Sequence, residues 1–386
     1  MPLTLKPLPT FILAVAGTML GLAGTDLILP AVPGLPAILG GDLARAQLVL
    51  ASFTAGTACG LILFGELAGR LSQRLLLTYS LVAYSLTSLL CANATDIDML
   101  IGLRFVQGAA GSAAAVFAPG LIRAVYGHDK AVRAIGALGS IEALTPALAP
   151  IAGVWLLHAY GWQASFDLIA ALAMLLAILV AFVRLPDVSR AVHPGGFFRL
   201  IRDPVFLRYS VSQACTLAAL LVVVFAAPTV FTRTMGGSLS HFIEMQMAGV
   251  ATFIVAANTA SRFSSGERLI LTGTALSAAA GTGMVLYALA GGGAIAVIIA
   301  LFITLNIGLG LRSPSGFHTA ILAARGDDAR GSAFTILAIL GLTSLGTAAV
   351  APFVTRGLIA PAVGAAVLSL SGLALLRLPK LEPQHR

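Results

Sequence analysis

Long apolar runs separated by short polar segments dominate the chain. A helix needs about 20 mostly apolar residues to cross the hydrocarbon core of a bilayer. Twelve such runs predict spanning helices near residues 10–30, 46–68, 75–93, 99–121, 132–157, 163–184, 209–231, 242–261, 269–290, 294–313, 332–353 and 357–377. The tenth helix has an alternative end, because its pattern can run past Pro314 toward Ala323. The predicted fold class is an all-α integral membrane protein.

A polar, basic segment separates the first six predicted spans from the last six. It predicts an N-terminal six-helix bundle over 1–185, a cytoplasmic linker over 186–208 and a C-terminal six-helix bundle over 209–386. Several secondary transporter folds are built from such repeats, with the substrate site near the bilayer midplane between them.

The distribution of lysine and arginine predicts the orientation. With a cytoplasmic N-terminus, 19 of the 23 basic residues lie inside or at the inner edge, Arg312 among them. Arg45, Arg233 and Arg356 lie outside, and Arg104 falls within a span. Because cytoplasmic loops carry the excess of basic residues, both termini and the linker are expected in the cytoplasm.

Composition excludes several classes of function. The chain is 58% hydrophobic and 10% charged, whereas a soluble domain carries about 25% charged residues. The net charge of +8 is spread between apolar runs, so nucleic-acid binding is not expected. No phosphate-binding loop, catalytic constellation or cofactor motif is found, so neither ATP-driven transport nor an enzyme is predicted.

The N-terminal apolar run and the three cysteines are both interpreted as ordinary features of a membrane protein. The run after Lys6 is expected to be retained as a span, because more membrane segments follow instead of a soluble mature chain. Cys59, Cys91 and Cys215 lie in or beside apolar runs without metal-ligand spacing, so they are interpreted as small packing residues.

Asp26 is the first polar residue that a membrane helix does not readily tolerate. Counting from Phe11, it lies about 22 Å into the first predicted span. A capping or interfacial carboxylate is the structural alternative. A carboxylate at this depth is costly unless it is paired or protonated, so Asp26 is a candidate functional residue.

Arg104 lies at a similar depth in the fourth predicted span, about 8 Å below the outer edge. A buried arginine needs a partner, and Asp26 is the nearest in depth. Gln107, Gly108 and Gly111 follow on one helical face, which suits a cavity wall or a close helix contact. The pattern therefore predicts Asp26 as the carboxylate for a proton or a cationic substrate, and Arg104 as its switchable partner.

Glu142 lies near the predicted midplane of the fifth span. A lone carboxylate there is expected to be neutral much of the time, as a proton carrier requires; a carboxylate held by neighbouring donors is the structural alternative. Pro146 and Pro150 follow one turn apart, with Gly153 beyond. Prolines at this spacing remove backbone hydrogen bonds and predict a bend, which is either a rocking element or a packing feature.

His241 and Met245 are four residues apart at the start of the eighth span. Imidazole and thioether groups are both ligands for soft metals such as Cu(I). Methionine in a membrane helix more often fills space, so no metal site is predicted and copper binding stays an alternative.

Four segments resemble the major facilitator superfamily, and within it the bicyclomycin/chloramphenicol-resistance type of drug–proton antiporter. Thr25–Pro33 resembles the first-helix TDxYLPAxP segment, and Leu103–Gly108 is similar to the fourth-helix RxxQG motif. Ala147–Gly153 resembles the fifth-helix antiporter motif, and Gly161–Phe166 is similar to GWRxxF with glutamine at the arginine position. The resemblance implies twelve helices in two bundles, proton coupling through Arg104, and drug export.

The loop after the second span departs from this family's pattern. The family sequence is roughly GxLxDRxGRR, whereas this chain has Gly65, Glu66, Arg70 and Arg74 in the same stretch with Gly69 at the acidic position. Glu66 lies three residues earlier and can partly substitute. These four residues are therefore predicted to form the inner gate, and the departure indicates either that the gate closes differently or that this protein is a divergent member with its own substrate.

The sequence as a whole predicts a proton-coupled secondary transporter that exports a small organic solute or drug. Its partners are expected to be the solute, protons and lipid, with no nucleic acid and a monomeric state. Uptake of a nutrient or copper is one alternative. A non-transporting membrane scaffold or receptor on the same fold is another.

Overall fold

A computed structural model of the chain describes residues 7–67, 71–142, 144–183, 185, 196–260, 266–325 and 328–381. These residues form helices and turns, with no strand among them. The α-helices are α1 (Pro7–Asp26), α2 (Leu35–Leu39), α3 (Leu43–Leu67), α4 (Gln73–Ala92), α5 (Ile97–Gly111), α6 (Ala113–Glu142), α7 (Thr145–Tyr160), α8 (Gln163–Phe182), α9 (Gly196–Arg202), α10 (Pro204–Thr229), α11 (Leu239–Thr259), α12 (Gly266–Leu289), α13 (Ile295–Ala323), α14 (Asp328–Val350) and α15 (Ile359–Leu375).

The membrane character of the chain is confirmed by these helices. Within the described ranges, ten helical segments are long and apolar enough to cross a bilayer, and α15 is a shorter apolar candidate. The tenth predicted span runs to Ala323, which is the longer of its two predicted ends. The fifth predicted span is shared between the end of α6 and α7.

Contacts with α1 show that the chain reverses direction within α6. Phe11 packs against Tyr126, and the Thr18 hydroxyl hydrogen-bonds the Glu142 carboxylate. Seven residues of α1 span about 10 Å, whereas sixteen residues of straight helix would span about 24 Å. The segment after Tyr126 therefore returns along α1, as a fourth and a fifth span require.

The first predicted span lies within one apolar helical segment, Leu8–Leu39, but its regular α-helix ends before residue 30. Helix α1 ends at Asp26, and residues Leu29–Gly34 form a 3₁₀ helix that contains Pro30 and Pro33. Proline has no N–H group to continue the α-helical hydrogen-bond ladder. The two prolines thus place Asp26 at a helix end instead of inside a continuous span.

Small residues allow the helices of the first bundle to approach closely. A Cβ atom added to Gly56 of α3 would overlap the Phe105 carbonyl, and one added to Gly108 of α5 would overlap the Phe53 carbonyl. Within a bilayer the hydrophobic effect does not drive helices together, because lipid tails are as apolar as the side chains. Close van der Waals packing of this kind drives helix association instead. The α3–α5 contact therefore fixes the position of Arg104 on α5.

The chain divides into two compact units, Met1–Ala191 and Val192–Arg386. Part of the predicted linker is helical, because α9 and the first turn of α10 lie before residue 209. Asp203 caps α10 by accepting from the backbone N–H groups of Val205 and Phe206. The linker bounds themselves stay a prediction.

Candidate functional site

Arg104 is completely buried in the first unit and is held by uncharged groups. Its Nε donates to the Val49 carbonyl at 3.3 Å, and its Nη1 donates to the Gly24 carbonyl at 3.0 Å. The guanidinium carbon lies 4.0 Å from the centre of the Phe53 ring, a cation–π contact. Its Nη2 has no hydrogen-bond partner. One donor group of a buried cation is therefore unused.

Gln107 connects Arg104 to α4. Its Oε1 accepts from Arg104 Nη1 at 2.6 Å, and its Nε2 donates to the Ser88 hydroxyl at 2.7 Å. The Cys91 thiol lies 3.7 Å from the same Oε1. We name Arg104, Gln107, Ser88 and Phe53 the Arg104 cluster. Gln107 and Arg104 lie on the same face of α5, as predicted from the sequence, and the hydrogen bond between them orients the guanidinium.

Asp26 lies at the end of α1 and is 9% exposed. Within the described ranges its carboxylate forms no ion pair. It is not an N-cap, because it is the last residue of its helix. The capping alternative therefore does not describe this carboxylate, and the interfacial alternative stays a prediction.

The predicted Asp26–Arg104 pair is not formed in this conformation, and the switchable pairing stays a prediction. No nitrogen of Arg104 lies within 4 Å of an Asp26 oxygen, since the ion pairs of the described residues do not include them. The guanidinium instead binds the carbonyl of Gly24, two residues earlier on α1. Because α1 ends at Asp26, the carbonyl is presented to Arg104 and the carboxylate is not.

Glu142 is half-buried at the end of α6, where its carboxylate lies next to the Thr18 hydroxyl of α1. That hydroxyl also lies 3.2 Å from the Ala14 carbonyl and 3.1 Å from the Val15 carbonyl of its own helix. Glu142 thus lies against α1 at Thr18, and Asp26 is the last residue of α1, eight residues further along the helix. Eight residues of helix correspond to about 12 Å. The first unit therefore carries two carboxylates along one helix, and neither has a basic partner among the described residues.

The predicted bend of the fifth span is an interruption at Leu144, between α6 and α7. Pro146 lies in the first turn of α7, where its missing N–H group is unneeded, and Pro150 lies inside the helix. A Cβ atom at Gly153 would overlap the Leu27 carbonyl. Gly153 thus lets α7 contact the chain immediately after Asp26.

The four predicted gate residues are placed only in part. Gly65 and Glu66 lie in the last turn of α3, and Glu66 is exposed. Arg74 is exposed in the first turn of α4 and forms no ion pair with Glu66. Arg70 lies outside the described residues. The gate stays a prediction.

His241, which was considered as a copper ligand, forms a helix-capping hydrogen bond in this structure. Its Nδ1 accepts from the Ser238 backbone N–H at 3.1 Å, which completes a capping box at the start of α11. Met245 is fully buried in the core of the second unit. No group of three or more potential His, Cys, Asp or Glu metal ligands is present in the described part of the chain.

Arg312 of α13 is the buried residue that sequence reasoning misplaced. It was predicted at the inner edge, but it is completely buried between α10 and α12. Its Nη1 donates to the Ser212 carbonyl at 2.9 Å and to the Thr216 and Thr274 hydroxyls at 2.8 Å each. We name these four residues the Arg312 cluster. Its Nε has no hydrogen-bond partner.

A sequence signal for this second arginine was present. Residues Arg312 to Gly316 have the order Arg-x-x-Ser-Gly, and Arg104 to Gly108 have the order Arg-x-x-Gln-Gly. The longer end of the tenth span, toward Ala323, also places Arg312 inside the helix. Both observations indicate burial, whereas the rule for basic residues in loops indicates exposure.

The architecture defines the class of fold. The crystal structure of a D-xylose-proton symporter superposes with a TM-score of 0.74, covering 95% of this chain and 97% of that chain at 15% identity. This superposition supports the predicted fold of two helical bundles. An identity of 15% carries no conclusion about the substrate.

The chain belongs to the Major Facilitator Superfamily, whose family model matches residues 14–351. It is 29% identical over 242 residues to the chloramphenicol resistance protein of Pseudomonas aeruginosa, covering 61% of this chain and 57% of that protein. It is 25% identical over 255 residues to a bicyclomycin resistance protein homolog of Haemophilus influenzae, covering 64% of each. It is 25% identical over 270 residues to the multidrug resistance protein MdtL of Klebsiella pneumoniae, covering 67% and 68%. The matches to the first two thus span less than two thirds of those relatives.

Proposed function

We propose that this protein is a proton-coupled secondary transporter that exports a small organic solute or drug by alternating access. Membership of the Major Facilitator Superfamily supports transport, and the resistance named in three relatives supports drugs as solutes. The observation that carries the proposal is Asp26, a buried carboxylate without an ion-pair partner in the described residues. It lies two residues after the Gly24 carbonyl, which binds an arginine with one unused donor group. An unpaired carboxylate at such a position is suited to bind and release a proton.

The coupling step is an exchange of partners at Arg104. In the described conformation the guanidinium binds the Gly24 carbonyl. In the alternate conformation Nη2 binds the Asp26 carboxylate, which favours the ionised carboxylate and releases its proton. Return of Arg104 to the carbonyl leaves Asp26 buried without a counterion, which favours proton uptake.

Glu142 is the second proton-binding residue in this mechanism. Its Thr18 contact lies on the same helix that carries Asp26. Gln107 positions the guanidinium through its 2.6 Å hydrogen bond. Pro146, Pro150 and Gly153 give α7 its contact with Leu27, so movement of α7 is transmitted to the chain beside Asp26.

The inner gate in this proposal comprises Gly65, Glu66, Arg70 and Arg74. Gly65 and Glu66 at the end of α3 and Arg74 at the start of α4 flank the loop that resembles the family's gate. The exposed Glu66 and Arg74 are available to pair when the cytoplasmic side closes. The protein acts as a monomer.

The proposed location is the cytoplasmic (inner) membrane, with both termini and the 186–208 linker in the cytoplasm. The distribution of basic residues supports this orientation. A reporter that is active only in the cytoplasm is expected to be active when it is fused at Arg190 or at Arg386. Labelling of either position from outside intact cells would contradict this orientation.

The proposal is tested by solute-induced pH change in proteoliposomes, with chloramphenicol as the probe. The wild-type protein is expected to move protons against the probe. Asp26→Asn is expected to abolish proton movement, because the amide cannot bind and release a proton, while exchange of the probe down its own gradient continues.

Asp98→Asn is the matched control for that measurement. Asp98 pairs with Arg45 on the surface, where both side chains are more than half exposed. Its loss is expected to leave proton movement unchanged, since exposed ion pairs contribute little. Unchanged proton movement in Asp26→Asn would remove Asp26 from the mechanism and make Glu142 the leading candidate.

A further inference from the structure

Two residues at the start of α10 hold the start of α12 against the segment that follows α15. Arg208 Nη1 donates to the Leu378 carbonyl at 2.7 Å, and Arg208 Nη2 pairs with Glu267 at 3.2 Å. The Tyr209 hydroxyl donates to the same carboxylate and accepts from the Leu381 backbone N–H at 3.2 Å. Glu267 lies in the first turn of α12. The start of α12 and the end of α15 therefore lie at the same end of the second unit.

Three cationic side chains lie beside these contacts. Arg268 directly follows Glu267, and Arg377 and Lys380 belong to the segment that follows α15. All three cations are exposed. None of them forms an ion pair within the described ranges. We name Arg268, Arg377 and Lys380 the α12–α15 cation cluster.

The acidic side chains described at this end of the unit already have other partners. Glu267 is bound by Arg208 and by the Tyr209 hydroxyl. Asp203 caps α10 and pairs with Arg325 at 3.6 Å. Neither carboxylate therefore neutralises the α12–α15 cation cluster, and the surface around it attracts anions.

Arg377 extends an exposed apolar face of α15. Val363, Val367 and Leu370 are all exposed, and they follow one another at intervals of four and three residues. Residues at these intervals lie on one face of a helix, and Arg377 comes two turns after Leu370 on the same face. The exposed apolar side of α15 therefore ends in a cation.

Helix α12 has the same arrangement in the opposite direction. The exposed residues Leu271 and Leu286 come three and eighteen residues after Arg268, which places them on its side of the helix. Helix α12 packs against α15, since a Cβ atom added to Gly281 would lie 3.1 Å from the Ala366 backbone. Two neighbouring helices thus each present an exposed apolar face with a cation at the same end.

We propose that the α12–α15 cation cluster binds the headgroup of an anionic phospholipid, whose acyl chains lie along the exposed faces of α12 and α15. Basic clusters at the ends of membrane-spanning helices attract anionic headgroups by charge complementarity. The apolar faces that lead to the cations favour a lipid over a soluble anion, because only a lipid covers both. This lipid site is independent of the proposed function, since it requires neither the solute nor the proton.

The probe is a phosphatidylglycerol that carries a diazirine in one acyl chain, near the ester. Light expels nitrogen from the diazirine, and the carbene that remains inserts into a nearby C–H bond. The whole protein is reconstituted in phosphatidylcholine nanodiscs that contain a small fraction of the probe, and labelled peptides are identified by mass spectrometry. Labelling is expected to be stronger at Leu271 and Leu370 than at Phe182, an outward-facing residue of the first unit that is 86% exposed.

Glutamine substitutions test the three charges one at a time. Arg268→Gln, Arg377→Gln and Lys380→Gln are each expected to lower labelling of Leu271 and Leu370 at subsaturating probe by about 5-fold, the effect of one cation near an anionic headgroup. Arg377→Lys is expected to retain the labelling, because it keeps the charge. These variants should fold, since the substituted side chains are exposed and form no ion pair among the described residues.

Arg123→Gln is the matched control. Arg123 is an exposed cation on α6 of the first unit, and it also forms no ion pair within the described ranges. Its loss is expected to leave labelling of Leu271 and Leu370 unchanged. Equal labelling of these two positions in Arg123→Gln and Arg377→Gln would overturn the lipid site.

Competition distinguishes an anionic lipid from other occupants. Unlabelled phosphatidylglycerol is expected to displace the probe better than phosphatidylcholine, which has the same acyl chains without the net charge. It is also expected to displace the probe better than glycerol 3-phosphate, which has the phosphate without the acyl chains. Equal displacement by phosphatidylcholine would identify a surface that any lipid covers, and equal displacement by glycerol 3-phosphate would identify a site for soluble anions. Either result would overturn the proposal.

Discussion

The Arg104 and Arg312 clusters bury the same kind of charge in different surroundings. Both arginines are completely buried, and neither forms an ion pair within the described ranges. Arg104 donates from two different nitrogens, to backbone carbonyls and to Gln107, and packs on an aromatic ring. Arg312 directs three hydrogen bonds from Nη1 toward a carbonyl and two hydroxyls, and a fourth from Nη2 toward the Ser212 hydroxyl at 3.1 Å.

The difference lies in what each arginine can reach. The Gly24 carbonyl that binds Arg104 is two residues from Asp26, so a small movement can exchange the carbonyl for a carboxylate. The hydroxyls around Arg312 also donate to the backbone of their own helices. We therefore interpret the Arg104 cluster as a switch and the Arg312 cluster as a fixed connection among α10, α12 and α13.

The largest expected effect separates the two arginines by function. Arg104→Met should eliminate proton-coupled transport, because methionine cannot exchange a carbonyl for the Asp26 carboxylate. Arg312→Met should retain transport and leave the free energy of unfolding unchanged or raised by up to about 4 kcal/mol, since apolar groups can replace buried charges without loss. Proteoliposome pH change and thermal unfolding measure the two quantities. Loss of coupling in both variants would contradict the distinction.

Lysine substitution is expected to have a smaller effect that depends on geometry. Three of the four hydrogen bonds of Arg312 leave Nη1, and a lysine ammonium can reproduce these three while it loses the bond from Nη2 to the Ser212 hydroxyl. Arg104 uses Nε and Nη1 together, so lysine would lose the bond to Val49. Arg104→Lys should lower the free energy of unfolding by about 1–3 kcal/mol. Arg312→Lys should lower it less, and the reverse order in thermal unfolding would refute this reading of the bonds.

The glycines that follow the two arginines provide a packing test. A Cβ atom at Gly108 would overlap the Phe53 backbone, which cannot easily move. A Cβ atom at Gly316 would lie 2.7 Å from Gln213 Oε1, the end of a flexible side chain. Gly108→Ala should therefore cost about 1–3 kcal/mol of stability, and Gly316→Ala less. Equal losses in thermal unfolding would show that the two helix contacts are equally rigid.

The smallest expected effect concerns Glu142 in the unit that contains the Arg104 cluster. Glu142→Gln retains a partner for Thr18 and removes only the charge. Transport of the probe should continue, with fewer protons moved per solute. Simultaneous measurement of solute and pH in proteoliposomes gives this ratio, and Thr18→Val serves as the control that removes the contact but retains the carboxylate. An unchanged ratio in Glu142→Gln would leave Asp26 as the sole proton-binding residue.

Several features of the fold were predictable because they depend on local sequence. Apolar runs of sufficient length fix the spans, as the bounds of α8 and α15 illustrate. The end of the first span was not predicted, although Pro30 and Pro33 are visible in the sequence. Proline is tolerated within membrane helices when neighbouring helices satisfy the freed groups, so the sequence alone does not place the break.

The candidate site was predictable residue by residue but not contact by contact. Arg104 and Gln107 were identified because three residues of helix place them on one face, and the structure joins them by a hydrogen bond. The pairing of Asp26 with Arg104 was inferred from equal depth alone. Depth gives one coordinate of a side chain, whereas a contact requires three.

The sequence by itself determined that this protein lies in a membrane, which residues span it and which polar residues are unusual there. Those properties depend on the transfer of each side chain from water to lipid, which is nearly independent of its neighbours. The tertiary structure alone decided that Arg312 is buried and that Arg104 binds carbonyls. Burial and hydrogen bonding arise between helices far apart in the chain, and their relative rotation and height are set by packing.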